Sequence, residues 1–137
     1  MSGDGADGAV ADAVVGEIVA AGGTAVASHH SVTEPEGGQA VVGTAIDRFG
    51  RVDAVVSIAG IFGTASFEDL TVDRWRRMLA VHLDGAFHVS QAAYRAMAAQ
   101  AGGPFVFVAS SAGAFAASTR RATSSPASSK SSRSAAT

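Results

Sequence analysis

In Val52-Asp53-Ala54-Val55-Val56-Ser57-Ile58-Ala59-Gly60, apolar residues with a β-branched pair at their centre run up to a glycine. A short apolar run closed by glycine reads as a strand buried on both faces. Downstream, residues 71 to about 100 carry a helical pattern, and Phe105-Val106-Phe107-Val108-Ala109-Ser110-Ser111 reads as a second buried strand. Strand, long helix and strand form the βαβ unit of a doubly wound α/β sheet, where ligands sit beyond the carboxyl ends of the strands. That rule directs attention to Ile58, Ala59, Gly60, Ser110 and Ser111.

Upstream of this unit, Val10, Val14 and Ile18 repeat at a spacing of four and predict a helix that ends at Gly22-Gly23. Residues 24–28, Thr-Ala-Val-Ala-Ser, predict a strand, and His29 to Val32 the loop beyond it. Thr33-Glu34-Pro35-Glu36 predicts a capping box with proline in the first turn of a second helix. That helix carries Val41, Val42, Ala45, Ile46 and Phe49 on one side and stops at Gly50. In the long helix, Thr71 is the predicted N-cap and Asp73 lies in the first turn. Trp75, Leu79, Leu83, Ala86 and Val89 form its predicted apolar stripe, and Gly102-Gly103-Pro104 ends it.

Composition bounds the function. No apolar run approaches the roughly 18 residues of a membrane span. The first residues carry no basic segment followed by an apolar one, so the expectation is a cytoplasmic protein without a secretory signal. The chain has no cysteine, so disulfides and thiolate chemistry are excluded. His29-His30 is the only adjacent histidine pair, and neighbouring side chains on a strand point to opposite faces, so no metal site is expected. The net charge of −2 hides an asymmetry. All the acidic residues lie before residue 116, while 116–137 holds Arg120, Arg121, Lys130 and Arg133 among Ser, Ala and Thr. Such a segment buries too little apolar surface to offset its chain entropy. Three readings of it stand: a solvated disordered tail, a basic arm for an acidic surface, and a product of reading out of frame. Its four charges are a thin basis for binding nucleic acid.

Together these segments resemble a short-chain dehydrogenase/reductase. Residues 51–60, Arg-Val-Asp-Ala-Val-Val-Ser-Ile-Ala-Gly, resemble the family's fourth strand with its Asn-Asn-Ala-Gly ending. Leu70-Thr-Val-Asp-Arg-Trp75 resembles the start of its central helix, and Val81-His-Leu-Asp-Gly-Ala-Phe87 its Val-Asn-Leu-x-Gly-x-Phe segment. Phe105-Val-Phe-Val-Ala-Ser-Ser-Ala-Gly113 resembles the fifth strand and catalytic-serine loop, and Gly22-Gly-Thr-Ala-Val-Ala the entry to the third strand. The resemblance covers about residues 8–115. It implies a partial Rossmann-like, doubly wound parallel sheet of three strands with flanking helices, between a flexible stretch 1–7 and the tail. It also implies hydride transfer between NAD or NADP and a small-molecule alcohol or carbonyl.

Residue by residue, the resemblance implies the following site. Ser110 stands where the family's serine hydrogen-bonds the substrate oxygen. His82 stands at the helix asparagine that supports a water in the proton relay. Ser31-Val32 stands where Asp-Val meets the adenine. Ile58-Ala59-Gly60 stands at the Asn-Ala-Gly turn beside the ribose, with isoleucine unable to make the asparagine's side-chain hydrogen bonds. Helix 71–100 is a subunit interface in the family, which makes homo-oligomerisation through it an expectation.

The family's other marks are not in this sequence. Gly3, Gly5 and Gly8 do not follow a strand, so they are no Gly-x-x-x-Gly-x-Gly turn for a pyrophosphate. Counting from Ser110, the Tyr-x-x-x-Lys positions fall on Thr123 and Ala127, while the single tyrosine is Tyr94 and the single lysine Lys130. In the family's strand order, two strands separate the third from the fourth, a gap of about 14 Å. The sequence therefore predicts that only the Val52 and Phe105 strands pair, and that the chain by itself has little or no turnover. The alternative expectation is a non-catalytic module that associates through helix 71–100.

Overall fold

The computed structural model describes residues 8–63, 65–100 and 102–110. The expectations for residues 1–7, for Ser111 and for the 116–137 tail lie outside them.

Helix α1 spans Gly8–Ala20. It ends as expected: Gly22 has φ +85°, and the amides of Gly22 and Gly23 donate to the carbonyls of Val19 and Ile18, each at 2.9 Å. Its repeat of apolar residues is not packed, however, and Val10, Val14 and Ile18 are all exposed. The segment that follows folds back on the helix through His29, whose Nε2 lies 3.0 Å from Asp12 Oδ1. The predicted strand at 24–28 does not form. A ladder needs a neighbour with free backbone groups, and among the described residues the sheet consists of two strands only.

Helix α2 spans Pro35–Phe49 and closes on Gly50, in the left-handed region with φ +76°. The predicted capping box is absent. Pro35 occupies the first turn and disfavours helical dihedrals in the residue before it. Glu34 is accordingly extended and is itself the N-cap, without a side-chain cap bond. This puts Thr33 outside the helix, where its hydroxyl pairs with Ser31 Oγ at 2.9 Å.

Strand β1 (Val55–Ser57) and strand β2 (Phe105–Phe107) run parallel, with Val55 opposite Phe105 and Ser57 opposite Phe107. Between them, helix α3 (Val72–Leu79) passes through a π-helical turn (Ala80–Asp84) into helix α4 (Gly85–Ala98). Thr71 caps α3 as expected, its Oγ1 accepting from the Arg74 amide at 3.3 Å. At the far end, the Gln100 side chain acts toward Val52 as a neighbouring strand would. Its Nε2 donates to the Val52 carbonyl at 2.9 Å and its Oε1 accepts from the Val52 amide at 3.4 Å.

The core lies where α2, α4 and one face of the sheet meet. Val42, Val52, Val55, Ala93 and Met97 are buried there, with Ala45, Val89, Ala92 and Phe105 packed against them. Helix α2 crosses α4 at Gly38, where a Cβ would come within 2.7 Å of the His88 backbone. Two expectations are corrected here. The strands are not buried on both faces: Val56, Val106 and Ile58 are exposed, because the helices cover one face only. The predicted stripe of the long helix is buried only in part. Trp75 and Leu83 are exposed, Leu79, Ala86 and Val89 are half-buried, and full burial falls at Ala93 and Met97, one and two turns beyond Val89.

Candidate functional site

The carboxyl ends of β1 and β2 lie side by side, and the Val108 amide donates to the Ser57 carbonyl at 3.3 Å across them. From this shared edge Ile58-Ala59-Gly60 leaves one strand and Val108-Ala109-Ser110 leaves the other. All six residues are exposed. The parallel pairing thus brings Ser110 and the Ile58–Gly60 turn to one edge of the sheet, as the βαβ reading requires.

The π-helical turn supplies the next layer. Within it the Gly85 amide donates to the Ala80 carbonyl, five residues back, so the helix carries one extra residue per turn at this point. Single π turns of this kind are frequent at functional sites. His82 lies in its centre, and its Nε2 is 3.1 Å from the Ile61 amide nitrogen and 2.8 Å from the Ile61 carbonyl oxygen. The ring covers Gly60 so closely that a Cβ there would lie 2.7 Å from His82 Cε1. Glycine is required at 60 for this approach, not only for access to a ligand.

On the other side of the same turn stands Val32. A Cβ at Gly85 would lie 2.7 Å from Val32 Cγ2, and His88 Nδ1 is 3.0 Å from the Val32 carbonyl, to which it donates. Ser31, beside Val32, has its hydroxyl engaged within its own turn by the Thr33 hydroxyl and amide. The turn 80–85 therefore fastens Gly60-Ile61 on one flank and Val32 on the other. His88 and Gly85 were not singled out in the sequence. Gly85 sat in a quoted segment, but the need for glycine there comes from Val32, which is 53 residues away along the chain and adjacent only in the fold.

The turn Ile58–Gly60 is exposed, and the loop at Ser31-Val32 lies on the other flank of the π turn from it. Among the described residues no glycine turn joins a strand to a helix N-terminus, so none fits a pyrophosphate. Tyr94 is 65% exposed on α4, three turns beyond His82. No described helix is long and apolar enough to cross a membrane.

Comparison with known proteins agrees with this geometry. The family model described as short chain dehydrogenase matches residues 6–132, past residue 115, so the change in composition there is not the boundary of the match. A short-chain type dehydrogenase/reductase of Mycobacterium tuberculosis is 42% identical over 113 residues, covering 82% of this chain and 40% of that protein. Peroxisomal multifunctional enzyme A of Dictyostelium discoideum is 41% identical over 114 residues, covering 83% of this chain and 25% of that protein. Among solved structures, NAD+-bound xylitol dehydrogenase superposes with a TM-score of 0.76 at 28% identity, over 82% of this chain and 44% of that one. A 7α-hydroxysteroid dehydrogenase complexed with NADH and 7-oxo glycochenodeoxycholic acid gives 0.74 at 30% identity, over 80% and 43%. The chain thus spans less than half the length of these relatives. With five motifs in order, the matched parallel strands and a family match over most of its length, the chain belongs to the short-chain dehydrogenase family.

Proposed function

We propose that this chain carries the adenosine-facing and serine-bearing part of an NAD(P)-dependent oxidoreductase acting on a small alcohol or carbonyl, and that it has no appreciable turnover alone. One observation carries the reading: the parallel β1–β2 pair sets the Ile58–Gly60 turn and Ser110 at one edge, with Val32 and His82 fastened behind it. In this reading Ile58, Ala59 and Gly60 face the ribose, Ser31 and Val32 the adenine, and Ser110 holds the substrate oxygen. A bound nicotinamide supplies or accepts the hydride. The proton that must move with it has no agent here, because Tyr94 sits within α4 and no Tyr-x-x-x-Lys occurs in the sequence. Both NADH and NAD+ occur in the names of the solved relatives, which supports a nicotinamide cofactor without choosing between NAD and NADP. We take the location as cytoplasmic; fractionation that placed the chain in peroxisomes, the compartment in several relatives' names, would overturn that part.

The test is an assay of NAD(P)H oxidation with a panel of ketones and aldehydes. The expected result is no reduction above the protein-free rate. Turnover that disappears in Ser110→Ala would overturn the inactivity while supporting the role of the serine.

A second reading is favoured by a separate observation. Trp75, Leu83, Phe87 and Tyr94 are all more than half exposed along α3, the π turn and α4. Here the chain is a non-catalytic module that associates through this helix with another subunit of the family. Co-purification with a full-length family member tests it, and the absence of any complex at micromolar concentrations sinks it.

A further inference from the structure

We propose that His82 is a positioning residue whose proton state selects which backbone group of Ile61 is held, and so sets the turn that follows β1. The observation is that one nitrogen faces two unlike partners. Nε2 lies 3.1 Å from the Ile61 amide, which can only donate, and 2.8 Å from the Ile61 carbonyl, which can only accept. A ring nitrogen with a lone pair accepts; with a proton it donates; it cannot do both. The molecule contains its own contrast in Gln100, which meets the amide and the carbonyl of Val52 together, because a carboxamide has a separate acceptor and donor. At position 82 an imidazole does the same work with one atom, and therefore by turns.

In the neutral ring with its proton on Nδ1, Nε2 accepts from the Ile61 amide; with the proton on Nε2 it donates to the Ile61 carbonyl, so the amide is held in one neutral tautomer alone. When the ring takes up a second proton, Nε2–H donates to the Ile61 carbonyl and the amide is released. No bond is made or broken beyond the transfer of one proton from solvent to Nε2. The turn 58–63 and strands β1 and β2, which lie against it, carry no ionisable side chain. On its own helix the nearest charged residues are Asp84 and Arg77. Across the π turn, Val32 meets Gly85 and His88, and the ionisable residues of that segment are His29, paired with Asp12, His30, beside Ser28, and Glu34, the N-cap of α2. His82 is exposed, so protons reach it from solvent. Because its ring fills the space over Gly60, any change in its seat is passed to the turn. The inference goes beyond the proposed function, since its readout requires neither cofactor nor turnover.

The experiment is a titration of the isotopically labelled full chain by nuclear magnetic resonance from about pH 8 to about pH 5, the range in which histidines charge. It follows the His82 ring nitrogens and the Ile61 amide proton, with His82→Gln and His82→Ala as comparisons. The Gln side chain places its amide near the position of Nε2 and offers both a donor and an acceptor. The expected result is an Ile61 amide proton that shifts upfield in step with protonation of the His82 ring, that stays downfield and flat in His82→Gln, and that is upfield and flat in His82→Ala. An Ile61 signal that ignores the His82 titration overturns the proposal. So does a titration that persists in His82→Gln, or one in which amides throughout the protein move together, as on unfolding.

Discussion

Position 38 shows how a single missing Cβ governs this molecule. A side chain there would meet the His88 backbone carbon, Cβ and carbonyl oxygen at 2.7, 2.8 and 2.9 Å. His88 in turn donates to Val32, so displacement at 38 reaches the loop at Ser31-Val32. Gly38→Ala is expected to destabilise the chain by about 1–3 kcal/mol, the usual range for overpacking, in urea unfolding. A midpoint equal to the parent's would show that α2 moves aside freely. At the opposite end of α4, Gln100→Ala removes both hydrogen bonds to Val52 and is expected to cost about 1–2 kcal/mol, with the backbone of Val52 left unpaired beside the core. Here hydrogen exchange at Val52 is the sharper readout, and protection unchanged in the variant would contradict the strand-like role assigned to the side chain.

Among the elements, the helix from Val72 to Ala98 is stabilised in two different ways. Its start rests on a local device, Thr71 capping the Arg74 amide with Asp73 in the positive first turn. Thr71→Ala should therefore cost about 1 kcal/mol in thermal or urea unfolding, and Thr71→Ser very little. Its end rests on packing. Met97 is 1% exposed and Ala93 0%, both against the sheet and α2. Met97→Ala should cost about 2–5 kcal/mol through lost burial and the cavity left behind. In so small a core this approaches total stability, so loss of the cooperative transition at 25 °C is the expected observation. If Met97→Ala cost less than Thr71→Ala, the core would have been misplaced.

At the scale of the whole molecule, apolar surface decides behaviour. Phe62 and Phe67 are 91% and 92% exposed, and Trp75, Leu83, Phe87, Val56 and Val108 are more than half exposed. Exposed apolar area, where contiguous, marks interaction sites, ligand grooves or aggregation liabilities. Strand β1 adds a backbone edge, since its single partner among the described residues is β2. The chain alone is expected to bind a hydrophobic dye strongly and to sediment as concentration-dependent assemblies. Trp75→Glu with Phe87→Glu should reduce both if the helix face carries the association. Sedimentation as a monomer with no dye binding would remove the basis for the interaction reading.

The amino-acid order alone determined the parallel pair, the helix between its strands, the cap at Thr71 and the ends of α1 and α2 at glycine. These depend on period, on local side-chain chemistry and on residues a few positions apart. It also brought Ser110 and Ile58–Gly60 to one edge, since a βαβ unit leaves no other arrangement for two strand ends. Tertiary structure alone decided the rest. Thr24–Ser28 has strand-forming residues but no neighbour to pair with, and pairing is a property of two segments. Trp75 and Leu83 lie on a helical stripe, yet which face of a helix is buried depends on what packs against it, and here α2 and the sheet cover Ala93 and Met97 instead. The extra residue of the π turn rotates the helix at His82, and only the fold places that ring over Gly60, where one nitrogen meets both backbone groups of Ile61.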